Sequence, residues 1–215
     1  MDGVADAGLN DRNGGDNCQP SYRCLAGPMA TLDIAPSGLQ AKSMQDSLNA
    51  QSVVDGDSDA IREILADVCR LTDMGFAAVA RVTEDRWIAC QVLDKIEFGL
   101  TPGGELQIAT TICSEIRGNG LAVVFDDATI DLEWRTHPVP ILYGFKSYAS
   151  FPILLSNGEF YGTLCAIDPA RRKVSTPEVV ATLRDFADRV AQILERRMAT
   201  RPAGRLLSTD DRSAG

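Results

Sequence analysis

Apolar and polar positions along the chain repeat in three distinct ways. From Ser58 to Asp73, Ile61, Ile64, Leu65, Val68 and Leu71 recur at intervals of three and four behind a Ser/Asp cluster suited to N-capping, so the spacing predicts a helix with Gly75 as its stop signal. Phe76–Val82 and Trp87–Leu93 are short apolar runs joined by Thr83-Glu84-Asp85-Arg86, a polar connector of hairpin length, and read as two strands. Lys95–Glu105 is a loop containing Gly99, Pro102, Gly103 and Gly104; Leu106–Arg117 then reads as a short helix closed by Gly118, and Leu121–Phe125 as another strand. Ile130–Phe145 is irregular, rich in large side chains and prolines, and fits a helical turn followed by an ordered loop over a sheet, where pockets form.

The centre of the pattern is Lys146–Pro169. Two buried-type arms, Phe151–Leu155 and Phe160–Ile167, flank Ser156-Asn157-Gly158-Glu159, whose Asn-Gly tolerates positive φ at both central turn positions. Gly162 interrupts the second arm, which marks a bulge, a close crossing or a ligand. Ser175-Thr176-Pro177-Glu178 then reads as a capping box opening a helix to about Met198, with Val179, Leu183, Phe186, Val190 and Ile193 along one seam.

Outside these elements the signal fades. Residues 1–55 carry scattered apolar residues without a period and read as disordered or weakly structured, although Met29–Ile34 or Ser43–Val54 could form a short element against the body. Residues 199–215 read as a flexible tail, leaving one globular domain over 56–198. The formal charge of −9 and isoelectric point near 4.6 argue against nucleic acid or an anionic membrane as partner. No run reaches the roughly 18 apolar residues of a membrane span and the N-terminus lacks a leader pattern, which gives a cytoplasmic protein as the expectation. The cysteines at 18, 24, 69, 90, 113 and 165 lack metal-site spacing; the last four lie in apolar contexts that suit small buried hydrophobes, with redox sensing as the alternative.

The element order over Ser58–Met198, together with Val123, Asp126, Ala128, Asp131, Tyr143-Gly144, Ser147-Tyr148, Pro152-Ile153, Gly162-Thr163-Leu164-Cys165 and Asp168-Pro169, resembles GAF domains attached to sensor kinases and diguanylate cyclases. The resemblance implies an α+β fold related to PAS domains: an antiparallel sheet of five or six strands, helices on both faces, and the first and last helices packed together. It also implies a pocket on the other face. A small-molecule site there would be lined by Cys113, Trp134, His137, Leu142, Tyr143, Tyr148 and Cys165, aromatic and aliphatic walls with an imidazole or phenol to orient the guest. His137 equally suits a plain loop role, since Pro138 keeps it extended near a turn.

Three further activities of GAF domains meet departures in this chain. Bilin photoreceptors carry a Cys-His pair where this sequence has Thr136-His137, so the thioether cysteine is missing there. The Asn-Lys-x-x-x-Phe-x-x-x-Asp-Glu signature of cyclic-nucleotide binders has no equivalent. Free methionine-R-sulfoxide reductase, a GAF enzyme, would need a thiolate and a resolving thiol; Cys113 and Cys165 are the candidates, but the loops that carry that enzyme's cysteines contain none here. The expectation is therefore a non-catalytic sensory or adaptor protein with no metal and a cofactor that the residues do not specify. With no output pattern after Met198, it would signal through a protein partner, and Ser58–Asp73 and Ser175–Met198 are the helices expected to form a homodimer.

Overall fold

The computed structural model describes residues 39–200, with side chains from Asp46 onward. Its helices are α1 (Leu39–Gly56), α2 (Asp59–Thr72), α3 (Cys113–Asn119), α4 (Pro138–Tyr143) and α5 (Pro177–Thr200), and its strands β1 (Phe76–Val82), β2 (Arg86–Asp94), β3 (Glu105–Gln107), β4 (Val123–Phe125), β5 (Ser147–Leu154) and β6 (Phe160–Asp168). The strands form one sheet of order β3-β2-β1-β6-β5-β4 in which every neighbouring pair is antiparallel. The expectations for residues 1–38, Met29–Ile34, Cys18 and Cys24 among them, and for residues 201–215 lie outside the described residues.

Strand alternation divides the interior in two. Ala77 and Val79 of β1, Ala149, Phe151 and Ile153 of β5, and Leu164 and Ala166 of β6 face the helices, where Ile61, Ile64, Leu65 and Val68 of α2 meet Leu183, Phe186, Val190 and Leu194 of α5. The alternate residues, Phe76, Ala78 and Ala80 on β1, Tyr148 on β5, and Cys165 and Ile167 on β6, face the other way into a second cluster with Ile112, Phe125, Trp134 and Phe145. The small residues on the helix side let α2 and α5 lie close to the sheet. The apolar seam of α5 is thereby buried within one chain.

Helix α1 covers a segment in which the sequence shows no apolar period, and Ser43–Val54 lies inside it. Tertiary contacts position it instead. Ser52, Asp55 and Gly56 are buried; Gly56 rests so close to Cys90 of β2 that an added Cβ would approach the cysteine backbone to 2.6 Å. Asn49 donates to the carbonyl of Gly103 at 2.8 Å and to the Glu105 carboxylate, and Arg197 of α5 donates to the carbonyl of Val54 at 2.8 Å.

Four local expectations are corrected by the backbone. The predicted helix over Leu106–Arg117 is a short edge strand, a 3-10 turn and then α3. Thr110 and Thr111 donate their hydroxyls to the carbonyls of Gln107 and Ile108 and so compete with helical bonding, while Arg86 pairs with Glu105 at the sheet edge. The left-handed residue closing α3 is Gly120 (φ 70°), with Gly118 inside the helix, and the one closing α2 is Asp73 (φ 56°), not Gly75. At the β5–β6 turn only Gly158 has positive φ (81°); Gly158 donates to the carbonyl of Leu155 and Leu155 to that of Glu159, a three-residue loop with a glycine bulge in place of the two-residue turn. The α5 cap is Thr176, whose hydroxyl accepts from Val179 at 3.3 Å, because Pro177 needs no amide partner at the first helical position. Ser175 lies one step earlier and donates its amide to Asp126 at 2.8 Å.

Candidate functional site

On the face away from α2 and α5, the sheet, the β2–β3 loop, α3 and α4 enclose a cavity of about 50 Å³ that opens to solvent. Phe76, Cys165 and Ile167 form its floor; Phe98, Leu100 and Leu106 wall it on the loop side; Ile112 and Cys113 close it from α3, and Val139, Tyr143 and Phe145 from the segment around α4. Among these lining residues there is no Asp, Glu, Lys, Arg or His.

Local chemistry fixes each wall. Asp94 ends β2 and accepts from the amides of Ile96 and Phe98 at 3.0 and 3.1 Å and of Gly99 at 2.9 Å, turning the loop so that Phe98 meets Phe76 with ring centroids 5.0 Å apart. Tyr143 packs on Phe98 and shares a hydrogen bond of 2.9 Å with the Thr110 hydroxyl, bridging α4 to the turn before α3 across the mouth. Gly144 (φ 70°) ends α4 in the left-handed conformation and returns the chain to β5. Deeper in, Tyr148 lies within a stack of rings, 5.4 Å from Phe125 and 5.6 Å from Phe145.

The polar groups on and behind this wall are thiols and hydroxyls. Cys113 Sγ lies 3.3 Å from the Thr163 hydroxyl and 3.7 Å from the Tyr148 hydroxyl, and the Cys165 thiol donates to the carbonyl of Ala78 at 3.6 Å. Burial pushes the Cys165 thiol well above its ordinary pKa, with Cys113 adding to the effect, and burial likewise pushes the Tyr148 phenol up. Ser150, paired with Cys165 across the strands, is fully buried, stands beside the phenol, and its Oγ makes no hydrogen bond of normal geometry.

Of the residues that sequence reasoning placed at the site, Cys113, Tyr143, Tyr148 and Cys165 line the cavity. Trp134, His137 and Leu142 do not. Trp134 stacks on the outer side of Phe125 at 5.0 Å. His137 caps α4, accepting from the Val139 amide at its Nδ1 while its Nε2 lies 3.2 Å from Glu115 of α3. Leu142 is 63% exposed, because the single turn of α4 directs Val139 and Tyr143 inward and Ile141 and Leu142 outward. Sequence reasoning missed Phe98 and Leu100, for which the available signal was two large apolar residues in a glycine-rich loop, and Leu106, which lies on the short edge strand β3.

With fold and cavity described, the comparisons with known proteins fall into place. The family model of the GAF domain matches residues 58–194, and the chain belongs to that family. Among solved structures, it is similar to the GAF domain region of a putative membrane protein from Geobacter sulfurreducens PCA (16% identity, TM-score 0.51, covering 72% of this chain and 99% of that one). It is also similar to the GAF domain of an Acinetobacter phosphoenolpyruvate-protein phosphotransferase (12% identity, TM-score 0.53, 76% and 98%) and to residues 122 to 287 of a methyl-accepting chemotaxis protein (16%, 0.53, 73% and 98%). These likenesses establish the fold. Comparison with curated proteins gives no match. No helix among the described residues is long and apolar enough to cross a membrane, and no cluster of His, Cys, Asp and Glu there is arranged to hold a metal ion.

Proposed function

We propose that this GAF domain is a non-catalytic receptor: it binds a small molecule in the cavity beneath α3 and α4 and reports occupancy to a protein partner through its helices. The observation that carries the reading is one continuous connection from cavity to helix. The β2–β3 loop and the adjoining β3 supply Phe98, Leu100 and Leu106 to the cavity wall, and the same segment holds Asn49 of α1 through Gly103 and Glu105. Helix α1 is in turn held to α5 by Arg197. A guest that shifts the loop therefore acts on α1 and α5, which lie across the sheet from it.

The thiols support a receptor over a reductase. Nucleophilic attack on a sulfoxide needs a thiolate, whereas burial holds Cys165 protonated, and Cys90 on the helix side is pushed up to about 11. Association with a second copy through α2 and α5 belongs to the same reading. Their seam is occupied by the sheet, so such a contact would use outer positions such as Leu71, 37% exposed.

Native mass spectrometry of freshly purified protein, followed by a thermal-shift screen of metabolites, tests the proposal. A co-purifying small molecule, or a metabolite that raises the melting temperature by several degrees, on a dimeric protein, is the expected result. A ligand-free spectrum together with unchanged melting across the library would leave a purely protein-binding role.

A further inference from the structure

The character of the guest follows from three properties of the cavity, and the argument rests on the receptor reading above. The first is the lack of any ionisable cation or carboxylate in the lining. A phosphate, carboxylate or ammonium placed there would lose its hydration and meet no opposite charge, a cost that excludes charged guests from such sites. The second is the aromatic composition: Phe76, Phe98, Tyr143 and Tyr148 present ring faces and edges, which favour another ring over a flexible aliphatic chain. The third is a polar island at the cavity wall, where the lining residues Tyr148 and Cys113 bring a hydroxyl and a thiol together, the fully buried Thr163 hydroxyl stands behind Cys113, and the buried Ser150 Oγ lacks a bond of normal geometry. The sulfur contacts of 3.3 and 3.7 Å are weak bonds, so an oxygen delivered by a guest competes with them well.

We propose that the cavity takes an uncharged, compact, single-ring molecule bearing one neutral hydrogen-bonding group, with the ring among Phe76, Phe98 and Tyr143 and the polar group at the Tyr148–Cys113–Thr163 island. The cavity volume of about 50 Å³ exceeds several-fold what one water needs, and the open mouth beside the Phe98–Leu100 wall is where a six-membered ring gains the rest of its room by an outward shift of that wall. That wall belongs to the loop that holds Asn49, so the same guest engages the transmitting connection.

Phenol, toluene and benzoate are suitable probes, compared in heteronuclear NMR titrations of the whole chain. Phenol is expected to give saturable shifts at the amides of Cys113, Cys165 and Ile167, toluene weaker ones at the same positions, and benzoate none over the same concentration range. Tyr148→Phe keeps the ring and removes the hydroxyl; it should weaken phenol by about fivefold to tenfold, the size of one neutral hydrogen bond, and leave toluene unchanged. Should that variant fold poorly, Thr163→Val removes a hydroxyl of the island at constant shape and is expected to weaken phenol in the same direction. Absence of saturable phenol binding, or benzoate binding as tightly as phenol, overturns the proposal. A charged metabolite emerging from the thermal-shift screen while phenol fails would overturn this ligand class and leave the receptor reading standing.

Discussion

Gly162→Ala is expected to destabilise the domain by about 3 kcal/mol or more, lowering the melting temperature by roughly 6–12 °C. Gly162 pairs with Arg81 of β1 and with Ile153 of β5, beside the register shift at Ile153/Leu154. A Cβ built on it would lie 1.9 Å from the carbonyl oxygen of Ala80. That atom belongs to a central strand bonded on both sides, so it cannot retreat as a flexible side chain would. The glycine thus serves a close strand approach beside a bulge. Gly118→Ala is the control: it sits in α3 with open space around it, and alanine there is expected to be neutral or stabilising by about 0.5–1 kcal/mol. Thermal and urea unfolding of both variants check the pair, and a Gly162→Ala protein as stable as the parent would contradict the assigned register.

The second large effect is expected at Asp168, at the end of β6. Its side chain is buried and accepts from the amides of Gly75 and Ala170, each at 2.8 Å, while Arg172 lies 3.2 Å away. Asp168→Ala leaves two amides and a partly buried guanidinium without this acceptor, a loss of about 3–5 kcal/mol. Asp168→Asn keeps one carbonyl oxygen and should fall between. A loss below about 1 kcal/mol in urea unfolding of the alanine variant would show that water or Asp73, which also pairs with Arg172, replaces the carboxylate.

Asp168 belongs to a hydrogen-bonded hub that explains three of the motif residues. Ser147, fully buried, reaches the carbonyls of Asp126 and Ala170 at 2.6 and 2.9 Å and accepts from the amide of Arg172 at 2.6 Å. Asp126 accepts from the amides of Val174 and Ser175 and pairs with Lys173; burial alone would raise its pKa, but these donors hold it below the usual carboxylate range. The motif residues Asp126, Ser147 and Asp168 therefore lock the ends of β4, β5 and β6 to the entry of α5. They identify the fold and say nothing of the guest.

This separation accounts for what was legible in the sequence. Helix α2 was readable because it buries one face and so carries a period, whereas β1, β2 and the β5–β6 hairpin, covered on both faces, were readable as short continuous apolar runs between turn residues; the predicted bounds Phe76–Val82 match the strand residue for residue. Helix α1 was weakly legible because side-chain bonds from Asn49 and Arg197 and the close fit of Gly56 hold it, and none of these leaves a periodic trace. At the cavity, Cys113, Tyr148 and Cys165 were readable as apolar-context residues on regular elements. Leu142 and Tyr143 are sequence neighbours with opposite fates, since which of them faces inward depends on where the single turn of α4 begins. Phe98 and Leu100 were hidden because the carboxylate of Asp94, rather than any repeat, folds their loop over the sheet, and Leu106 because β3 is only three residues long.

The claim that cavity and helices are linked through one loop is tested most directly by hydrogen exchange. The protein would be compared empty and saturated with phenol or with the most stabilising metabolite from the screen. The account expects exchange rates to change together in residues 95–107 and in the Leu48–Gly56 part of α1, and expects Asn49→Ala to abolish the α1 response while the loop still responds. Changes confined to the cavity walls, with α1 and α5 exchanging identically in both states, would contradict it.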